Sequence, residues 1–460
     1  MQRRAFLTSG TTAALGFLGL RNYLSAAPAA AASRVIEPYG PLIPDPKGIL
    51  DLPKGFHYQV LSEVGQPMSD GFKVPGAPDG MACFEGRDGT VVLVRNHEMG
   101  MNLDNSPFPE VGKYPEELDR NASYDAGPQR NDRPYIGGTT NVVYDPNSGE
   151  VLRQFLSLTG TDRNCAGGAM PWGSWITCEE PGDMASRRGR NHGFCFEVKA
   201  SDDGKLQKPV PLKALGRFRH EAVALDPRTG ILYLTEDQGD GLLYRFVPDR
   251  ERDFTKGKLQ ALQINGEKGA DLTNNVGSPK ELTEGDTFGA RWITMSRVDS
   301  DEDDLRHRGH RKGAAKFARG EGIIYSRGSL FVCCTSGGKE KQGQIWQLEP
   351  STSKSSPDKL TLFLEPKESD LLTNCDNVCA APWGDLILCE DLIAEHLGKT
   401  PHVRGVTPEG EVYTIARNAK APTEFAGSCF SPDGKVLFVN MQGEGLTLAI
   451  HGPFEEGRKV

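Results

Sequence analysis

The sequence predicts an all-β fold, a β-propeller with loop insertions. Three observations predict it: a turn-rich composition with 54 Gly and 31 Pro, six copies of one hairpin pattern, and a spacing between the copies that matches a propeller blade. No long stretch carries a helical apolar period, so the regular structure is expected to be short strands joined by tight turns.

Residues 1–32 stand apart from that pattern. Arg3 and Arg4 precede Ala5, Phe6 and Leu7, a mildly apolar stretch runs from Thr11 to Leu20, and an Ala-rich run spans Ala26 to Ala32. That order matches a twin-arginine signal peptide with a small-residue cleavage site. The apolar run is shorter than the roughly 20 residues a membrane-crossing helix needs. Cleavage is therefore expected to leave residues 33–460 as one propeller domain with no membrane anchor, periplasmic or extracellular, after passage through the twin-arginine translocase. This route carries folded proteins, often with metals already inserted. Losing Arg3, Arg4 and Arg21 takes the formal net charge from −9 to −12, which repels nucleic acid and anionic membrane surfaces. Such a chain is expected to bind cations locally, and to be a monomer.

The six hairpins occupy 79–98, 164–180, 221–237, 321–338, 376–391 and 424–442. Each opens on a polar or acidic residue, runs through an apolar strand, and reverses at Gly. Each then returns through a β-branched strand and closes on polar or acidic residues. The turn glycines Gly89, Gly173, Gly230, Gly328, Gly384 and Gly434 lie 84, 57, 98, 56 and 50 residues apart. Fifty to sixty residues is about one four-stranded blade, so the two long gaps mark insertions near 101–133 and 249–316. The second ends in a charge run from Asp299 to Lys312, read as a solvated loop. The ten cysteines show no C-x-x-C zinc spacing. A few are expected to pair after export, while Cys83 and Cys333, inside apolar strands, read as buried thiols.

In a propeller the first strand of each blade starts at one mouth of the channel and its partner returns there. That rule gathers Asn96, His97, Glu98, Asn164, Cys178, Glu179, Glu180, Glu221, Glu236, Asp237, Glu321, Asn377, Glu390, Asp391 and Glu424 onto one face. So many carboxylates around one channel raise one another's pKa unless cations neutralise them. Oxygen ligands without a histidine cluster favour Ca2+ or a hard trivalent ion over zinc. Cys178, between Thr177 and the pair Glu179–Glu180, is a thiol among acids, an arrangement that suits iron. Arg319 and Glu321 lie two apart and share a face; the arginine is either a counter-ion or a clamp for a phosphate oxyanion. Asp240 sits on a Gly-flanked loop that lets backbone approach an ion.

The segments GTTNVVYD, NCAGGAMPWGSWITCEE, FRHEAVALDPRTGILYLTEDQGDGLLYRFVP, FARGEG and EFAGSCFSPDGKVLFVN resemble the PhoX-type alkaline phosphatases, from about Leu52 to Pro453. The resemblance implies a six-bladed propeller with a mixed Fe3+ and Ca2+ cluster that hydrolyses phosphomonoesters. It implies ligand roles for Cys178 of TCEE, Glu221 of RHE, Asp240 of GDG and Glu321 of RGEG, with Arg319 on the phosphate. Glu180, Glu236, Asn96, Asn164 and Glu390 complete the candidate ligand set. The fifth hairpin continues CEDLIAEHLGK where the family has a Gly-rich CEDG loop, which points to a different route for substrate. The expected function is metal-assisted hydrolysis of a small phosphomonoester. Its rivals are a calcium-dependent lactonase-type propeller, which needs neither Cys178 nor Arg319, and a non-catalytic metal-binding scaffold.

Overall fold

A computed structural model describes residues 35–100, 104–127, 133–184, 189–353, 356–367, 371–392, 396 and 398–455. The expected signal peptide, residues 1–32, lies outside them.

The fold is all-β and propeller-like. The first sheet orders Pro78–Glu85, Val91–His97, Gly137–Asp145 and Glu150–Thr161. The second has three strands, Asn164–Met170, Ser174–Glu179 and Cys195–Lys199, extended by a single bridge from Phe196 to Pro211. His220–Asp226, Ile231–Glu236, Tyr244–Pro248 and Gly257–Ile264 continue through Thr287–Thr294 into Asp358–Leu364, Gln344–Glu349, Ser329–Cys334 and Gly320–Ser326. Two hairpin units thus merge into one nine-stranded sheet. Cys375–Ala380, Leu386–Glu390, His402–Val406 and Val412–Asn418 are widened by Leu50–Pro53 and Leu42–Ile43. The last sheet pairs Phe425–Phe430, Val436–Met441 and Leu446–His451 with His57–Glu63. That pairing, His451 opposite His57 through Leu446 opposite Glu63, fastens a strand from near the start of the described chain to the C-terminal hairpin.

Six separate four-stranded sheets are not what forms. Residues 249–316, expected as an insertion, supply Gly257–Ile264 and the linking strand Thr287–Thr294. The first of these reads GKLQALQI and buries Leu259, Ala261, Leu262 and Ile264 against its neighbours, which is why it joins the sheet. The charge run is likewise part helix, Leu305–Lys312. Gly313, at φ 108, and Ala314 donate to His310 and Gly309 carbonyls and end it, while His310, Arg311 and Lys312 lie at the favourable end of its dipole.

The first strands of the six hairpins contact one another in a closed cycle, from Pro78–Glu85 through 164–170, 220–226, 320–326 and 375–380 to 425–430, which returns to 78–85. The apolar core lies between neighbouring sheets rather than inside any one. Met170, Ile176 and Cys178 pack with Val223, Leu232 and Tyr244 of the next hairpin unit, all buried. Each such large aliphatic or aromatic side chain contributes about 1.5–3 kcal/mol by its burial. Small residues let the inner strands approach. A Cβ on Gly80 would stand 2.5 Å from Ala166 Cα, and one on Gly322 2.4 Å from the Asp376 carbonyl oxygen.

Candidate metal centre at the channel mouth

Every hairpin carries a register shift near its start. In the first five, two residues on the inner strand face one on its partner: 79 and 80, 165 and 166, 221 and 222, 321 and 322, 376 and 377. The sixth lies one residue further along its strand, at 427 and 428. A bulge re-aims the side chain at the extra position. In the first five the first bulged residue is Asp79, Cys165, Glu221, Glu321 or Asp376, all buried. The residue just past the second strand adds Glu98, Glu180, Asp237, Asp391 and Gln442 in the first, second, third, fifth and sixth hairpins, and is Thr335 in the fourth. The residue before the first strand adds Arg163, Arg319 and Glu424.

Arg163 and Arg319 hold φ of 51 and 53, a left-handed backbone that costs a non-glycine residue about 1–2 kcal/mol and concentrates at functional sites. Arg163 donates to Glu180 Oε2 from Nε at 3.2 Å and Nη2 at 2.9 Å, and pairs with Glu98. Arg319 grips Asp237 in a two-point bond, Nε to Oδ1 at 2.9 Å and Nη2 to Oδ2 at 3.0 Å. It also pairs with Glu321, and its Nη1 lies 3.5 Å from Asp391. Gln442 Nε2 donates to Asp79 Oδ2 and Glu98 Oε2, both at 2.9 Å. The Cys165 thiol lies 3.5 Å from Glu180 Oε2. One ligand atom each from Asp79, Glu98 and Cys165 falls within 4.8 Å of the others.

Nine carboxylates therefore share the mouth with two guanidiniums. Burial, then Asp376 and Asp79, pushes Glu221 well up; burial, then Glu98 and Asp376, does the same to Asp79. Glu321 and Glu424 are raised for the same reasons, the Arg319 guanidinium being too little to hold Glu321 down. Burial and Asp237 lift Glu180 to about 7, and burial lifts Asp376 to about 6 despite its bonds to Glu321 and Asn377. Burial, Glu98 and Glu221 raise the Cys165 thiol far above its usual range. Cations bound among these groups would favour their ionised forms.

The backbone that presents these groups is tied across sheets. Asn96, opposite the first bulge, donates to the Cys165 and Ala166 carbonyls at 2.8 and 2.7 Å. Thr235 does the same to the Glu321 carbonyl at 2.5 Å, and Asn440 to that of Asp79 at 2.5 Å.

Of the residues singled out in the sequence, Glu98, Glu180, Glu221, Asp237, Arg319, Glu321, Asp391 and Glu424 come together here. The remaining candidate ligands do not. Cys178 is buried between sheets, its Sγ 3.7 Å from Cys195 Sγ; the thiol among the acids is Cys165. Glu236 accepts from Tyr244 Oη at 3.0 Å and Leu242 N at 3.2 Å inside its sheet, with burial lifting it to about 7. Glu390 accepts from Arg404 Nε, His402 N, His402 Nδ1 and Thr373 N at 2.8–3.0 Å. Asn96 spends both ends of its amide, the oxygen on Trp175 Nε1 at 2.9 Å. Asn164 does likewise between Thr161 and Thr177. Asp240, its side chain 47% exposed, pairs with Arg306 at 3.0 Å on the rim. The reason is geometric. The faces of these sheets turn toward neighbouring sheets, so a side chain within the second strand enters a core, whereas a bulged inner residue or one just outside a strand end reaches the mouth of the channel.

A cavity of about 520 Å3 opens beside Asp391, with Lys399, His402, Arg404 and Arg417 along its wall. Another, of about 710 Å3, fills the turn end of the channel and is lined by small and apolar residues such as Ala169, Met170, Ile324 and Cys429. The ionisable chemistry lies at the opposite end, and chemistry rather than volume locates the site.

Residues 37–445 match the family model described as Alkaline phosphatase PhoX. A solved structure described as Pseudomonas fluorescens PhoX in complex with vanadate, a transition state analogue, is 18% identical over 93% of this chain and 98% of that chain, with TM-score 0.68. The gluconolactonase XC5397 of Xanthomonas campestris is 12% identical over 91% and 99%, at TM-score 0.40. The periplasmic gluconolactonase PpgL of Pseudomonas aeruginosa is 13% identical over 88% and 93%, at 0.42. The first likeness shows the fold; the other two are too loose to carry an argument. No curated relative matches the sequence at a significant level.

Proposed function

The chain belongs to the alkaline phosphatase PhoX family, and on that premise we propose that it is a metal-dependent phosphomonoester hydrolase whose cations sit among Asp79, Glu98, Cys165, Glu180, Glu221, Glu321, Asp376 and Glu424. The observation that carries this reading is the convergence of nine carboxylates and one thiol on a single mouth with two arginines. The donor set fits hard ions, and the thiol beside Asp79 and Glu98 fits iron; Fe3+ with Ca2+ is the proposed pair. When bound, such ions polarise a phosphoryl oxygen and lower the pKa of water.

The chain's own groups would do the rest. Gln442 and Arg163 fix the carboxylates of Asp79, Glu98 and Glu180. Arg319, held on Asp237 and Glu321, keeps Nη1 as its least engaged edge, and this edge would neutralise phosphate charge as it develops. The basic wall beside Asp391 favours an anionic substrate at that flank. Six blades, two of them sharing the outer strand Thr287–Thr294, are the reading of the sheets proposed with this function. Export by the twin-arginine route as a monomer belongs to the same proposal and rests on Arg3 and Arg4 before Phe6 and Leu7.

The test measures metal content and p-nitrophenyl phosphate hydrolysis on one sample. Turnover that falls with chelation supports the reading. Folded, metal-loaded protein that leaves the ester intact overturns it.

A further inference from the structure

Ten thiols are free in this structure, and two of them face each other across a strand pair. Cys178 and Cys195 are register partners on the antiparallel strands Ser174–Glu179 and Cys195–Lys199. Glu179 N donates to Phe194 O at 3.1 Å, and Cys195 O turns away to accept from Leu212 N at 2.8 Å. The pair is thus at a non-hydrogen-bonded position, where Cα atoms lie about 4.5 Å apart. That falls inside the roughly 4.4–6.8 Å a disulfide spans. Their sulfurs are 3.7 Å apart and both residues are fully buried. On its other side Cys195 Sγ rests 3.3 Å from His220 Nδ1, so the sulfur is held between two partners. The metal reading makes no use of either thiol.

We propose that Cys178 and Cys195 are a disulfide site, closed by exchange with a disulfide-bearing oxidant, either a small molecule of the glutathione type or a protein dithiol oxidase. Two S–H bonds break and one S–S bond forms; the two electrons reduce the oxidant's disulfide, whose sulfurs take the two protons. Because neither thiol is exposed, exchange takes place in the folding chain, before the neighbouring sheet covers them, or after local opening. The bond closes the loop 179–194, which starts with Glu179 and Glu180 and returns through His192, whose Nδ1 lies 2.6 Å from Glu179 Oε1. It therefore staples the base of the segment that delivers Glu180 to the mouth. Cys333 and Cys375, which also share a side-chain hydrogen bond, lie on strands that are not paired with each other, which makes them the internal comparison.

The full chain is unfolded, refolded in a mixture of reduced and oxidised glutathione, alkylated under denaturing conditions and digested with trypsin without reduction. The expected product is peptide 164–187 joined to peptide 191–199, lighter by two hydrogen atoms than the pair, with fragmentation placing the link at Cys178 rather than Cys165. Reduction separates the two, and Cys195→Ser does not form the joined product. Alkylation of all ten thiols, or a link between Cys333 and Cys375 in place of this one, overturns the proposal, and both outcomes are read on the unmutated chain.

Discussion

Replacing Arg404 with Met tests the role assigned to Glu390. The Glu390 carboxylate is buried and accepts four hydrogen bonds, one of them from Arg404 Nε at 3.0 Å. Breaking a buried ion pair by removing one partner costs about 3–5 kcal/mol. Three N–H donors from Thr373 and His402 stay in place, which puts the expected loss near the lower end, about 3 kcal/mol. At roughly 2.1 cal/mol/K of unfolding entropy per residue, a chain of this size loses about 3 °C in Tm. Burial raises the Glu390 pKa, but Arg404 and His402 outweigh it and hold the group below its ordinary value. A depressed carboxylate stabilises the fold above its unfolded pKa and loses that contribution as pH falls through the folded one. The gap between wild type and Arg404→Met is therefore full at pH 7 and shrinks below about pH 4.5. The assay is a double-mutant cycle with Glu390→Gln, read by urea unfolding, with metal content measured alongside. Coupling near zero, or metal lost in Glu390→Gln, would refute the assignment of Glu390 to the frame of the sheet.

Three further outcomes follow from the mouth. Gly322→Ala brings a Cβ to 2.4 Å from the Asp376 carbonyl oxygen, so thermal melts should show a loss of about 1–3 kcal/mol, with lower metal content because two site residues move apart. In chelator-treated protein the raised folded pKa values of Asp376, about 6, and Glu180, about 7, favour the folded state while these groups hold their protons. That stability is full below the unfolded values and is lost as pH rises through the folded ones; Tm should be lower at pH 8 than at pH 5, and added Ca2+ should restore it at pH 8. Arg319→Lys keeps the charge but cannot make the two-point bond to Asp237, so kcat/KM for p-nitrophenyl phosphate should fall at least tenfold with metal content unchanged; full activity would remove Arg319 from the phosphate.

Much of the mouth is legible in the sequence because hairpin ends are marked by Gly turns on one side and acids on the other. Glu98, Asp237, Asp391 and Glu424 were reachable from that rule alone. What it cannot supply is which of two adjacent residues faces the channel. In Glu179–Glu180, Glu236–Asp237 and Glu390–Asp391 the first acid binds backbone and basic groups within the sheets and the second faces the mouth. A strand's period of two decides the outcome, and the strand end is known from sequence only to within a residue or more. The bulges that turn Asp79, Cys165, Glu221, Glu321 and Asp376 inward leave no composition signal of their own. Aligning the inner strands as copies would have set Cys165 in one column with those acids, and Cys178 in the column of Cys333 and Cys389, which are core thiols. The strand Gly257–Ile264 follows a charged turn and falls inside the stretch expected as an insertion, so its alternating apolar residues carry no blade signal of their own.

Cys165 and Cys178 separate the account most directly, since only one of these thiols stands among the carboxylates. Iron and calcium are to be counted by mass spectrometry, and the visible spectrum recorded, on folded wild type, Cys165→Ala and Cys178→Ala. Cys165→Ala is expected to lose iron, any thiolate-to-iron absorption and most of the hydrolytic activity, while Cys178→Ala keeps its metal. Full iron occupancy in Cys165→Ala, or its loss in Cys178→Ala alone, would contradict it.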